Sequence, residues 1–298
     1  MNMMQTAVRV VPVVGVLSLL GPAGCVMEDF NDIGQTFFSP SPTEAARDAL
    51  DPYNPDLRRE GVVLLSNAPF GGVEAYLKMY RDYVVNDPNP LVRAAAITAL
   101  ARHGDESDAI LISPYLSREA EPNETVRWYA ALALQRLHDP EVIGVLETAM
   151  RDEDETGEIR AAVCVALGQY PEDRVVQLLL LALDARELAV NTEAAQSLML
   201  LTGQEFGLDR VAWQNWYNAA LAKKVAFKDQ REYFYPTYSR DTDWWEYAAF
   251  WLDMSWEKPS APAGRRPESE RRTYEEPPPE VRGDEQVTEE VETADNEP

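Results

Sequence analysis

Apolar residues recur three and four apart through most of residues 41–221. That spacing gathers side chains on one face of a helix. Four stretches align without gaps: NPDLRREGVVLL from Asn54, NPLVRAAAITAL from Asn89, NETVRWYAALAL from Asn123 and TGEIRAAVCVAL from Thr156. A weaker fifth, ELAVNTEAAQSL, starts at Glu187. The shared arginines are Arg58, Arg93, Arg127 and Arg160, with Asn191 in their place in the fifth stretch, and the intervals are 35, 34, 33 and 31 residues. Each stretch reads as a helix. Asn54, Asn89 and Asn123 are cap residues for its free first-turn amides. Gly61, Ala96, Ala130 and Ala194 share one offset, where small side chains let helices approach closely, and Val163 is the exception. Leu65, Leu100, Leu134, Leu167 and Leu198 close the pattern.

A second helix is expected after each of the first four stretches, over residues 73–85, 107–116, 140–150 and 173–183. One amphipathic hairpin cannot bury its apolar side alone, whereas stacked hairpins can. SPTE from Ser41 predicts a leading helix with a capping box. The stretch from Leu201 to Tyr217, with Gly203, Gly207, Asp209, Trp213 and Trp216, predicts a closing helix with an aromatic core face. The aliphatic–arginine pairs Val92-Arg93, Val126-Arg127 and Ile159-Arg160 resemble the HEAT-repeat family. That resemblance implies an all-α fold, a right-handed α-solenoid of about five HEAT-like helical hairpins with helical caps. It also implies that Arg58, Arg93, Arg127 and Arg160 stabilise the array by tying adjacent repeats to acidic groups. Asp87, Glu121 and Asp154 are the candidate acceptors across the junctions, because an unpaired buried guanidinium is costly.

Charge narrows the partners. Against 27 Lys+Arg stand 51 Asp+Glu, a net charge of −24. Such a surface repels nucleic acid and anionic lipid, and suits a protein partner with a basic face. Cys25 and Cys164 are the two cysteines, too few for a disulfide framework. Residues 1–9 carry one arginine, and residues 10–20 (VVPVVGVLSLL) are almost wholly apolar. The run is shorter than the roughly 20 residues of a membrane span and suits an export signal. Pro22-Ala23-Gly24-Cys25 resembles the lipidation box of bacterial lipoproteins, with Pro22 where a large aliphatic residue is usual. The resemblance implies removal of residues 1–24 and acylation of Cys25. The expected location is therefore a bacterial cell-envelope surface, with secretion or the periplasm as the alternative. Residues 25–40 read as an acidic linker.

Residues 222–259 form an aromatic-rich extension. There Trp244, Trp245, Tyr247, Phe250, Trp251 and Trp256 pack back on the array, anchor a partner or touch a lipid interface, the last disfavoured by Glu246 and Asp253. Residues 260–298 are rich in acids and prolines and are expected to be disordered. His103 and His138 each fall near the end of a repeat's first helix. They form no short metal-ligand motif with Cys164, and the chain has no HExxH, phosphate loop, nucleotide fingerprint or GxSxG elbow. No catalytic residue, metal or cofactor is assigned. The expected function is a membrane-tethered, noncatalytic protein-binding scaffold or adaptor. A structural envelope lipoprotein without a specific client is the alternative. A minor one, implied only by the repeat resemblance, is a component assisting bilin attachment or removal.

Overall fold

The computed structural model describes residues 41–68, 70–230, 236–237 and 272–273. Compactness divides the chain into Met1–Pro40, none of which is described, and Ser41–Pro298. Within the second unit eleven α-helices follow one another among the described residues. They are α1 (Pro42–Ala49), α2 (Pro55–Asn67), α3 (Glu74–Asn86), α4 (Pro90–His103), α5 (Glu106–Ile112), α6 (Glu124–Ala133), α7 (Ile143–Arg151), α8 (Gly157–Leu167), α9 (Asp173–Ala182), α10 (Leu188–Thr202) and α11 (Arg210–Lys223). A 3₁₀ turn at Ser113–Leu116 prolongs α5, and another at Pro140–Val142 leads into α7. Pro236–Thr237 pairs in parallel with Arg272–Thr273, a small departure from an otherwise all-α architecture.

The starts of these helices follow from local chemistry. Asn54, Asn89 and Asn123 each accept from first-turn amides through their side-chain oxygen, and Thr156 does so through its hydroxyl. Pro42, Pro55 and Pro90 occupy the first helical position, where the missing N–H has no intrahelical partner to lose. Ser41 and Glu44 form the reciprocal capping box: the Ser41 amide donates to Glu44 Oε2 at 2.9 Å and the Glu44 amide to Ser41 Oγ at 3.3 Å. α10 stops at Gly203, whose φ of 74° is a left-handed conformation open to glycine. Its Cα also lies under Asp229, since an added Cβ would sit 2.0 Å from the Asp229 carbonyl oxygen.

The helices stack in two layers. α2, α4, α6 and α8, which carry the shared arginines, and α10, which has Asn191 in that place, lie side by side, each against the next. The closest pairing across the layers joins a second helix to the first helix of the following unit: α3 to α4, α7 to α8 and α9 to α10. By that packing α1 is the second-layer partner of α2 rather than a separate cover, and α11 closes the far end against α9. The core is made by repeated columns. Gly61, Ala96, Ala130, Val163 and Ala194 are buried, as are Leu65, Leu100, Leu134, Leu167 and Leu198.

Gly61 has a specific reason to be glycine. A Cβ there would lie 2.2 Å from the Ala49 amide nitrogen and 2.6 Å from the Ala45 carbonyl oxygen, so α1 crosses α2 at backbone contact. Gly61→Ala is therefore expected to destabilise the protein by about 1–3 kcal/mol through overpacking. A urea melt decides the sign, because alanine in an uncrowded helix interior is about 1 kcal/mol better than glycine. A gain in stability would mean that α1 does not lie against Gly61.

Candidate protein-binding face

The four arginines come to rest at the repeat junctions. Arg58 Nε and Nη2 donate to Asp87 at 2.8 and 3.2 Å, while its Nη1 reaches the Asp51 carbonyl at 3.0 Å. Arg93 Nε and Nη2 donate to Glu121 Oε2 at 3.0 and 2.6 Å, and Nη1 to the Asp87 carbonyl at 3.0 Å. Arg127 Nε and Nη2 donate to Glu155 at 2.6 and 3.1 Å, and Nη1 to the Glu121 and Pro122 carbonyls at 3.0 and 2.9 Å. Arg160 Nη1 donates to Glu187 Oε2 at 3.1 Å and its Nε to the Met150 carbonyl at 3.0 Å.

Each acid faces the arginine from the next junction. Three of them also accept from the backbone there: Asp87 from the Asn89 amide, Glu121 from the Asn123 amide and Glu155 from the Thr156 amide, at 2.8, 2.9 and 2.8 Å. Every guanidinium therefore spans two junctions. In the fifth stretch Asn191 is too short to do so, and its amide reaches the Leu183 carbonyl at 3.1 Å.

Asp87 and Glu121 match the sequence expectation, whereas the third acceptor is Glu155 and not Asp154. Asp154 is exposed and meets Arg118 at 3.2 Å. The acidic run at residues 152–155 thus divides its work: Asp152 and Asp154 bind Arg118 near the surface, and Glu155 turns inward. Glu187 was missed altogether. Its signal was its place 27 residues after Arg160, one step short of the 28 that separate Arg127 from Glu155.

The opposite side of the same helices forms a different surface. Positions one, two and five after the arginine fall within about 100° of arc, away from the core columns. In α4 they are Ala94, Ala95 and Thr98; in α6, Trp128, Tyr129 and Leu132; in α8, Ala161, Ala162 and Val165. Three successive helices thus present a stripe with no charge at these positions. Trp128 and Tyr129 are half-buried at its centre, edge to face with ring centroids 5.0 Å apart. The alanines on either side are at most 9% exposed and belong to the buried core, against which the two rings pack.

Charge returns at the ends of the stripe. Arg59 and Glu60 occupy the first two positions in α2, and Glu193 the second position in α10. Glu193 is half-buried, accepts no hydrogen bond and meets no cation among the described residues. Burial holds its carboxyl above the ordinary range. Glu158, in the first turn of α8, is exposed and likewise has no cation partner among the described residues. No one residue type runs through all three helices on this face, so it has no motif of its own in the sequence. The face shows instead as a column of absent charges once the repeats are aligned.

Other candidate chemistry is absorbed by the fold. His103 Nε2 lies 2.7 Å from the Ser66 carbonyl, and His138 Nε2 lies 2.9 Å from the Gln135 carbonyl. Cys164 is fully buried, and that burial pushes its thiol up to about 12, far from thiolate reactivity. Among the described residues no three His, Cys, Asp or Glu side chains converge as a metal site, and no helix is long and apolar enough to cross a membrane. A cleft of about 260 Å³ between the 3₁₀ turn after α5 and α7 contains Arg118, already paired with Asp152 at 2.9 Å. Cys25 and the six aromatic residues Trp244, Trp245, Tyr247, Phe250, Trp251 and Trp256 lie outside the described residues.

Layered helix pairs, with side chains tying each repeat to the next, define a helical-repeat protein. Within the array, residues 112–199 match the family described as HEAT repeats, so the chain carries a HEAT-repeat-like helical domain. No curated protein matches the chain.

Proposed function

We propose that this protein is a noncatalytic binding scaffold whose working surface is the uncharged stripe across α4, α6 and α8. The observation that carries the reading is the partly buried Trp128–Tyr129 pair on that stripe, two large rings that the core does not fully enclose. Buried aromatic anchors dominate binding energy at protein interfaces. Here two rings stand free of charge in a chain whose charged residues make up 26% of the total, so exposure alone would not have placed them there. Arg58, Arg93, Arg127 and Arg160 are repeat-stabilising in this reading, since their donors are spent on the junctions and not offered to a partner.

Trp128→Ala and Tyr129→Ala are each expected to weaken the partner complex by about 2 kcal/mol or more, roughly 30-fold. Quantitative cross-linked capture at matched expression checks this, with melting curves to confirm that the variants remain folded. Full recovery of a stoichiometric partner by both variants would remove the stripe as the binding surface. Bulk association with envelope material, without any stoichiometric protein, would favour the structural-lipoprotein alternative.

Tethering is a separate part of the proposal and rests on the signal-like residues 10–25. The wild-type protein is expected to lose residues 1–24, gain acyl mass on Cys25 and sediment with membranes. Cys25→Ser should lose both the mass and the sedimentation, because a multi-acyl group supplies about 0.8 kcal/mol per buried methylene and the acidic chain offers no compensating attraction to lipid. Intact-mass measurement and fractionation read both outcomes. Identical mass and distribution for the two proteins would reject the anchor.

A further inference from the structure

We propose that the partner of this face is a basic protein segment, one that sets an apolar side chain against Trp128 and Tyr129 and a lysine or arginine against Glu193 and Glu158. The inference rests on the binding reading above and adds the partner's chemistry. The stripe is polarised along the array. In α4 these positions are Leu91, Ala94, Ala95 and Thr98, and in α6 Thr125, Trp128, Tyr129 and Leu132, none of them charged; Leu91 and Thr125 are exposed, Thr98, Trp128 and Tyr129 partly buried, and Ala94, Ala95 and Leu132 buried. Beyond α6 the charged residues of the outward columns are carboxylates only: Glu158 in α8 and Glu193 in α10. The arginines that could have neutralised them are engaged elsewhere, Arg127 with Glu155 and Arg160 with Glu187.

Glu193 is the more telling of the two. A carboxylate half-removed from water with no donor is costly, and the usual resolution is a paired cation. The Asp87, Glu121 and Glu155 carboxylates, which are equally or more buried, each have an arginine and a backbone amide. Glu193 has neither among the described residues. A cation arriving from outside would supply the missing partner in a site already partly desolvated, where charge pairing is stronger than in bulk water. An acidic or neutral segment would leave Glu193 buried and unpaired, so the same residue that favours a basic partner disfavours the others. The overall charge of −24 would draw such a segment toward the surface, and the apolar pair would set its register.

The test uses the full-length chain as bait for a displayed library of random dodecapeptides at about 0.15 M salt, where the Debye length is about 8 Å. Wild type, Glu158→Gln/Glu193→Gln and Trp128→Ala are selected in parallel, with melting curves for each. The expected result from wild type is a set of peptides in which lysine or arginine stands a few residues from a large apolar side chain. That basic preference should fall at least tenfold in the double glutamine variant, whose folding is unaffected by a neutral isosteric change at two outward positions. Enriched peptides with no basic preference would overturn the proposal while leaving the binding face in place, provided Trp128→Ala still abolishes selection. A basic preference that persists undiminished in the double variant would also overturn it, by locating the attraction in the acidic residues 275–298. Selection indifferent to Trp128→Ala in a folded variant would reject the binding face itself.

Discussion

Glu155→Ala is expected to lower the unfolding free energy by about 3–5 kcal/mol, the largest single effect of any junction carboxylate. Glu155 and Arg127 are the most enclosed of the ladder pairs, with side chains 2% and 6% exposed. Removing the acid leaves a guanidinium that is buried and short of its counter-ion, although its Nη1 keeps the Glu121 and Pro122 carbonyls. It also frees the Thr156 amide at the start of α8. For an array of this size the melting temperature should fall by roughly 6–20 °C.

Because repeat arrays hold together through neighbour contacts, the urea transition should broaden or divide between α6 and α8. Two companions sharpen the test. Asp154→Ala, one residue away, should cost no more than about 1 kcal/mol, since Asp154 is 84% exposed and its bridge to Arg118 lies in water. Arg127→Met with Glu155→Leu should recover most of the loss, because a packed apolar pair replaces a buried ionic one at little net cost. If the neighbouring aspartate proved the more sensitive of the two, the ladder would be misassigned at that junction.

Trp213→Ala is the second large effect, about 3–5 kcal/mol. Among the described residues no further helix follows α11, and its attachment is made by a few side chains. Trp213 is 1% exposed, donates from Nε1 to the Gly207 carbonyl at 2.9 Å, and packs edge to face with Phe206 at 5.0 Å. Tyr217 fastens the next turn by donating to Asp173 Oδ1, at the start of α9, at 2.6 Å. Loss of the indole removes the wedge between the Gly203–Asp209 turn and α11.

The expected pattern is therefore local first. Proteolysis at Lys223 and Lys224 should accelerate, and hydrogen exchange should rise in α9 and the end of α10 before it rises in α4 or α6. Uniform loss of protection along the array would show instead that the closing helix and the central repeats unfold as one unit. Tyr217→Phe removes the hydroxyl alone and should cost about 1 kcal/mol, which separates the hydrogen bond from the packing.

Much of this architecture is written in short-range patterns. The caps at Asn54, Asn89, Asn123 and Thr156, the first-turn prolines and the column of leucines depend on residues within one helix, so the repeat length and helix count were legible without coordinates. The second helices were placed within about two residues of their observed ends, a usual margin for boundaries. Local pattern could not choose which helix pairs most closely with which. A periodic chain offers the hairpin α2–α3 and the cross-junction pair α3–α4 with equal force, and the backbone contact allowed by Gly61 shows why α1 belongs with α2.

The same division holds for the candidate site. That the arginines require acids follows from the cost of a buried guanidinium, and two of the acids were identifiable. The choice of Glu155 over Asp154 was not, because adjacent residues at a junction differ only in the direction the turn gives them, and that direction is set by the packing of α6 against α8. The proposed binding face also depends on tertiary structure. Trp128 and Tyr129 are ordinary aromatic residues in one helix; only the stacking of α4 and α8 against α6 sets the uncharged alanines beside them. The sequence by itself determined that helices repeat and where each begins, since those are local free-energy preferences. Stacking alone decided which charges are neutralised within the array and which, like Glu193, have no cation among the described residues, because burial is a property of neighbours that are distant along the chain.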